Sequence, residues 1–133
     1  MSALLPMQLD SMTGRVPLLA RFSYDSADPY AIRVTFFDGL RITARWDFDR
    51  QMLAEGLHRP VGEGEVYFCP HRGLVTDELR LFLRNTRGGQ EGHATLFVGA
   101  RPMQRFLDQT YDVTEAGEEF LDLDGFLEEL LAG

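Results

Sequence analysis

Asp38-Gly39 stands between two runs of alternating apolar and polar residues, and that arrangement constrains the fold more tightly than anything else in the chain. An Asp-Gly pair supplies the positive backbone angles that a tight hairpin turn needs. Before it, Ile32, Val34 and Phe36 alternate with Arg33 and Thr35; after it, Ile42, Ala44, Trp46 and Phe48 alternate with Arg41, Thr43, Arg45 and Asp47. A period of two predicts two half-buried strands with both apolar sets on one face. A slip of one residue would turn a whole set to solvent, so the pattern itself specifies the register. Immediately downstream, Asp49 is placed to cap a helix over residues 50–55, and Gly56 is expected to close it in the left-handed conformation. So short a helix is marginal alone and is expected to be held by docking Met52, Leu53 and Leu57 onto the sheet. Pro60 bars helix at His58-Arg59.

The remaining segments fit the same plan. Residues 7–12 alternate weakly and suggest an edge strand, with residues 1–14 as a loose edge or tail. Residues 16–24 form a strand with Leu18, Ala20, Phe22 and Tyr24 on one face, and residues 25–29 a turn. Residues 61–64 read as a connector, 65–69 as a strand ended by Pro70, and 71–77 as a loop. Two further strands, 78–85 and 93–99, turn Leu79, Leu81, Leu83, Ala94, Leu96 and Val98 inward across a glycine-rich loop at 86–92. Pro102 suits the first turn of a helix that carries Met103, Phe106, Leu107 and Thr110 at i, i+3, i+4, i+7. After a loop at 114–117, a last helix is expected from Asp122 or Asp124, burying Leu123, Phe126, Leu127, Leu130 and Leu131. About seven antiparallel strands with helices packed to one side make an α+β fold, a single domain over residues 1–133.

Charge narrows the function classes. All 13 basic residues are arginines, and nine of the 21 acids follow Arg105 with no base among them. The preceding residues hold the 13 arginines against 12 acids, so the net charge of −8 resides in the C-terminal segment. Such a field repels phosphate polyanions and suits a partner with a basic or mixed surface. Cys69 is the only cysteine, which excludes an internal disulfide. The first ten residues have no basic residue and no cleavage pattern, and no apolar run reaches spanning length, so the expected location is cytoplasmic with no membrane span.

Catalytic signatures are absent: there is no P-loop, no G-x-S-x-G, no H-E-x-x-H and no dinucleotide glycine pattern. His58, His71 and His93 lie in separate segments, and Cys69 with His71 cannot close a metal site alone. Asp25 and Asp28 are better explained as turn-capping residues than as a carboxylate pair. The chain is therefore expected to be no enzyme and to take neither cofactor nor metal. Two features look like contact surface instead. In L-A-E-G-L-H-R-P, residues 53–60, the glycine and proline follow from the fold, but Glu55, His58 and Arg59 do not; with Leu53 and Leu57 they form a candidate partner-binding site. Phe37, Tyr67, Phe82 and Phe97 all fall on the outer side of their strands, which calls for a second cover, either the protein's own helices or another subunit.

Y-D-S-A-D-P-Y-A-I, W-D-F and above all L-A-E-G-L-H-R-P-V-G-E-G-E-V resemble the SsgA-like family of actinobacterial sporulation and cell-division proteins, most nearly its SsgB branch. The stretch before Phe22, the Cys69-Pro70-His71 triplet and the acidic 115–124 segment depart from that branch. The resemblance implies a Whirly-like sheet architecture, a homotrimer, and a non-enzymatic adaptor that brings the tubulin-like protein FtsZ to division septa together with SsgA-type partners. The Whirly likeness also carries an alternative, a single-stranded nucleic-acid binder using Phe37 and Phe82 with Arg33, Arg45, Arg80 and Arg84.

Overall fold

The structure is a computed structural model in which residues 1–85 and 92–119 are described. In chain order the elements are β1 (Ser2–Ser11), β2 (Gly14–Ser23), β3 (Ala31–Asp38), β4 (Arg41–Asp49), α1 (Arg50–Gly56), β5 (Val61–Glu63), β6 (Val66–Arg72), β7 (Asp77–Asn85), β8 (Gly92–Gly99) and α2 (Ala100–Val113). The strands form one antiparallel sheet in the order β4-β3-β2-β1-β8-β7-β6-β5. Two four-stranded meanders are thus joined at the middle, where Met7 to Leu9 of β1 pair with Val98 to Leu96 of β8.

This order makes the two edge strands, β4 and β5, consecutive in sequence, and α1 is the link between them. The helix packs against β4, β5 and β6 at once. Phe48 of β4 meets Phe68 of β6 edge-on with ring centroids 5.2 Å apart, so the sheet is curled until its edges face each other across α1. The inner face encloses the core, in which Phe22, Ile32, Val34, Phe68, Leu79 and Leu81 are fully buried. Helix α2 follows β8 directly and packs on β1, β7, β8 and α1. Its Met103, Phe106, Leu107 and Thr110 are all buried, as their helical spacing predicts, and Phe106 lies 5.8 Å from Phe22.

The α+β reading with antiparallel strands holds, and several details differ from it. There are eight strands: residues 61–63, expected as connector, pair with β6 as β5. Strand β1 begins at Ser2 and lies at the centre of the sheet, where a loose edge was expected. Strand β6 runs through Pro70 to Arg72. Pro70 lies beyond the end of β5, just as Pro6 and Pro17 lie beyond the stretches that β8 and β3 pair, which leaves each proline a side with no ladder bond to lose. The hairpin loop is Gly39–Leu40, one residue later than expected, and Gly39 alone takes a positive φ, of 63°. A bulge at Phe36/Phe37 pairs Phe36 with Ala44 but Phe37 with Ile42, so Ile42 joins Phe37 on the outer face, 47% exposed, rather than the core. The last predicted helix and the loop at 86–91 lie outside the described residues.

Candidate interaction surface

The corner from α1 to β5 is rigidly built. The Asp49 carboxylate accepts from the Gln51 N–H at 2.9 Å and caps the helix, as its position predicts. Gly56 has a different role from the one expected of it. Its φ is not positive, and a Cβ there would lie 2.6 Å from Phe68 Cβ, so glycine is required by the close approach of α1 to β6. The Glu55 carbonyl accepts from the His58 N–H at 2.9 Å and the Arg59 N–H at 3.0 Å, which ends the helix and fixes the two residues that follow.

Of the five predicted contact residues, four reach the surface. Leu53 is fully buried and acts only as an anchor, while Leu57 is half-buried. His58 and Arg59 are exposed. Arg59 reaches back to Glu55 at 3.1 Å, with its side chain 68% exposed. An exposed i,i+4 pair of this kind contributes little and opens readily to a partner. The corner therefore offers one carboxylate, one guanidinium, one imidazole and an apolar edge on a fixed backbone.

The outer-face aromatics do not form one patch. Tyr67 and Phe82 are directly opposed on β6 and β7, with Phe82 stacked near His93 at 5.8 Å. Phe97 is only 6% exposed although it faces outward, because the Arg15 guanidinium lies 3.7 Å above its ring and His71 is 5.0 Å away. Arg15 is held there by Glu78 at 2.8 Å and by Gln8 at 2.9 Å. Phe37 belongs to the other meander, where the register places Pro6, Leu19, Phe37 and Ile42 in one apolar row across β1 to β4. Arg21 covers Phe37 at 5.3 Å. Arg33 is paired with Asp47 at 3.0 Å, and that hydrogen bond and charge raise its pKa. Arginines thus cover the rings of Phe37 and Phe97 on the face where bases would have to stack.

Sequence reasoning passed over Arg50, the largest fully buried side chain among the described residues. Its Nη1 donates to the carbonyls of Thr110 at 3.0 Å and Thr114 at 2.8 Å, and its Nη2 lies 2.8 Å from Glu119 Oε1. Its guanidinium also packs over the rings of Tyr111 at 4.0 Å and Tyr24 at 5.1 Å. Glu119 is held below the usual carboxylate range by its own backbone N–H and then by Arg50. Burial pushes the Tyr111 phenol up, with Arg50 opposing. Among the described residues, no three His, Cys, Asp or Glu side chains come together to hold a metal.

Residues 18–119 match the family model of the Streptomyces sporulation and cell division protein SsgA. The chain belongs to the SsgA-like family. Within it, the chain is 39% identical over 124 residues to the sporulation-specific cell division protein SsgB of Streptomyces coelicolor, covering 92% of this chain and 88% of that one. A structure from a study of SsgB mutations that correlate to longitudinal cell division during sporulation of Streptomyces coelicolor matches with a TM-score of 0.81 and 37% identity, over 89% of this chain and 91% of the other. The SsgA-like sporulation-specific cell division protein of Thermobifida fusca matches with a TM-score of 0.85 and 31% identity, over 97% and 93%. Among the described residues, no helix is long and apolar enough to cross a membrane.

Proposed function

We propose that this chain is a non-enzymatic cytoplasmic adaptor of sporulation-specific cell division, which helps place FtsZ at septa through protein contacts alongside SsgA-type proteins. The observation that carries the reading is similarity over nine-tenths of the chain to a relative named for that process. The SsgA-like corner at α1–β5 supports a contact mechanism, since Glu55, Leu57, His58 and Arg59 sit exposed or half-exposed on a backbone that Leu53 and Gly56 lock to the sheet. The two outer patches serve self-association. The row of Pro6, Leu19, Phe37 and Ile42 and the Tyr67–Phe82 pair lie on different meanders, which suits a head-to-tail contact between copies in the homotrimer that the family resemblance implies.

Co-sedimentation with polymerised FtsZ tests the adaptor. His58→Ala with Arg59→Ala should weaken capture about tenfold, a change of roughly 1.4 kcal/mol, with the thermal unfolding midpoint unchanged. Should the double variant lose its fold, His58→Gln with Arg59→Gln repeats the test with less change of shape. Full capture by a folded variant would overturn the assignment of the corner, and no capture by the unaltered chain would overturn the adaptor.

A further inference from the structure

The hairpin between β6 and β7 ends in an apolar point. Its stalk is stiff, because the two strands pair without a break from Val66 and Leu83 to Arg72 and Asp77. The Gly73 N–H donates to the Thr76 carbonyl at 3.1 Å and closes the turn, which leaves Leu74 and Val75 at its tip. Leu74 is 107% exposed and Val75 93%, so almost nothing of the chain covers either side chain. Two adjacent apolar residues held clear of the protein on a fixed backbone add nothing to its core and call for apolar surroundings from outside.

The charge beside the tip decides which surroundings fit. The formally charged groups lining the two clefts that flank it are Arg15, Arg72 and Glu78 in one, and Asp77, Arg101 and Arg105 in the other. Glu78 is matched by Arg15 at 2.8 Å, and Asp77 stands opposite Arg72 in the register. That leaves Arg101 and Arg105, both exposed and one turn apart near the start of α2, whose first turn carries no acid. Among the described residues neither forms an ion pair. Positive charge is therefore in excess around the tip, although the chain as a whole is negative. At physiological ionic strength charges beyond about 8 Å are largely screened, so the local excess is what an approaching surface meets.

An apolar projection beside unmatched cations fits a lipid surface with anionic headgroups better than it fits a protein. A stable protein contact needs a broad patch with an apolar core. The turn offers only two apolar side chains, flanked by Gly73 and Thr76. Lipid closes around a projection, taking apolar side chains at the boundary of headgroup and acyl chain while guanidinium groups stay among the phosphates.

We propose that the β6–β7 tip is a peripheral membrane contact, in which Leu74 and Val75 enter an anionic lipid surface and Arg101 and Arg105 bind its phosphates. This contact shares no residue with the α1–β5 corner and does not depend on the adaptor reading. Flotation of the full chain with protein-free vesicles tests it. Binding is expected to vesicles of phosphatidylglycerol and phosphatidylcholine in equal parts but not to phosphatidylcholine alone, and it should weaken as salt rises. Leu74→Ser with Val75→Ser should reduce partitioning about tenfold or more, a change that the exposure of both side chains lets the fold absorb. Arg101→Gln with Arg105→Gln should reduce it by a similar factor. Leu40→Ser, equally exposed but at the opposite end of the sheet, should bind as the unaltered chain does. In Leu74→Trp, the added indole should emit at shorter wavelength once phosphatidylglycerol vesicles are present, and brominated lipid should quench it. No binding by the unaltered chain, or undiminished binding by a folded tip variant, would overturn the proposal. So would a tip retained only by membranes that bear protein, which would assign Leu74 and Val75 to a protein partner.

Discussion

Arg50 and Glu119 are joined by a 2.8 Å ion pair that ties the start of α1 to the residues after α2. The arginine side chain is 1% exposed and the glutamate 12%, and the same guanidinium satisfies the carbonyls of Thr110 and Thr114. One side chain thereby closes the C-terminal end of α2 against the link between the two sheet edges. Removing it takes the charged donor from the Thr110 and Thr114 carbonyls and from Glu119, although the Thr110 carbonyl keeps the Thr114 N–H and the Glu119 carboxylate keeps the Gly117 N–H. Arg50→Ala should cost about 3 kcal/mol of unfolding free energy, read from urea denaturation. Arg50→Lys should recover only part, because an ammonium lacks the planar fork that reaches three acceptors at once.

Glu119 gives the pair a pH signature. Its folded pKa lies below the ordinary glutamate value, so the folded state binds fewer protons than the unfolded one as that value is approached. The stabilisation is complete above the usual carboxylate range and is lost as pH falls through the lowered folded value. Unfolding midpoints should therefore drop on acidification, and Glu119→Gln should flatten that dependence while lowering stability at neutral pH. An equally steep acid limb in the variant would assign the effect to other carboxylates.

Gly56 and Gly39 should respond to alanine for opposite reasons. At Gly56 the added Cβ meets Phe68 Cβ at 2.6 Å, so the gain of up to about 1 kcal/mol in helix propensity is outweighed by an overpacking cost of about 1–3 kcal/mol. At Gly39 nothing lies within 4 Å, and only the positive φ of 63° resists, at about 1–2 kcal/mol. Phe68→Leu, which keeps Cβ but opens the space beyond it, should leave the Gly56→Ala penalty largely in place. Thermal or urea unfolding of the single and double variants measures each term.

If the two outer patches close a ring, charge on either should open it. Leu19→Glu, on the apolar row, and Phe82→Glu, opposite Tyr67, should each reduce the mass measured by sedimentation to that of one chain without altering the sheet signal. A chain that sediments as a monomer before substitution would remove the trimer from the account.

What could be read in the residues was what repeats locally. Ile32, Val34 and Phe36, or Leu79, Leu81 and Leu83, are found because alternation and burial report the same fact, and Met103 to Thr110 because a helical stripe does. Ile42 was misplaced because a bulge adds one residue without any mark in the composition, and the addition changes the face of everything before it. Strand β5 was missed because Val61, Gly62 and Glu63 are too few to show a period. The centre of the sheet fell on β1, whose pairing with β8 lies about 90 residues away in sequence. For the same reason Arg50 left no local sign, since its partners are 60 to 69 residues distant. In the candidate corner, His58 and Arg59 stood out because the fold gave them no task, whereas the burial of Leu53 depends on how α1 docks.

The most direct test of the adaptor account is the position of a fluorescent fusion of the full chain beside labelled FtsZ and a DNA stain in sporulating hyphae. The account predicts foci or ladders at septal positions that appear before or together with FtsZ rings, and their loss when His58 and Arg59 are both changed to alanine. A signal that follows the nucleoids, or one that stays diffuse while FtsZ rings assemble normally, would contradict it.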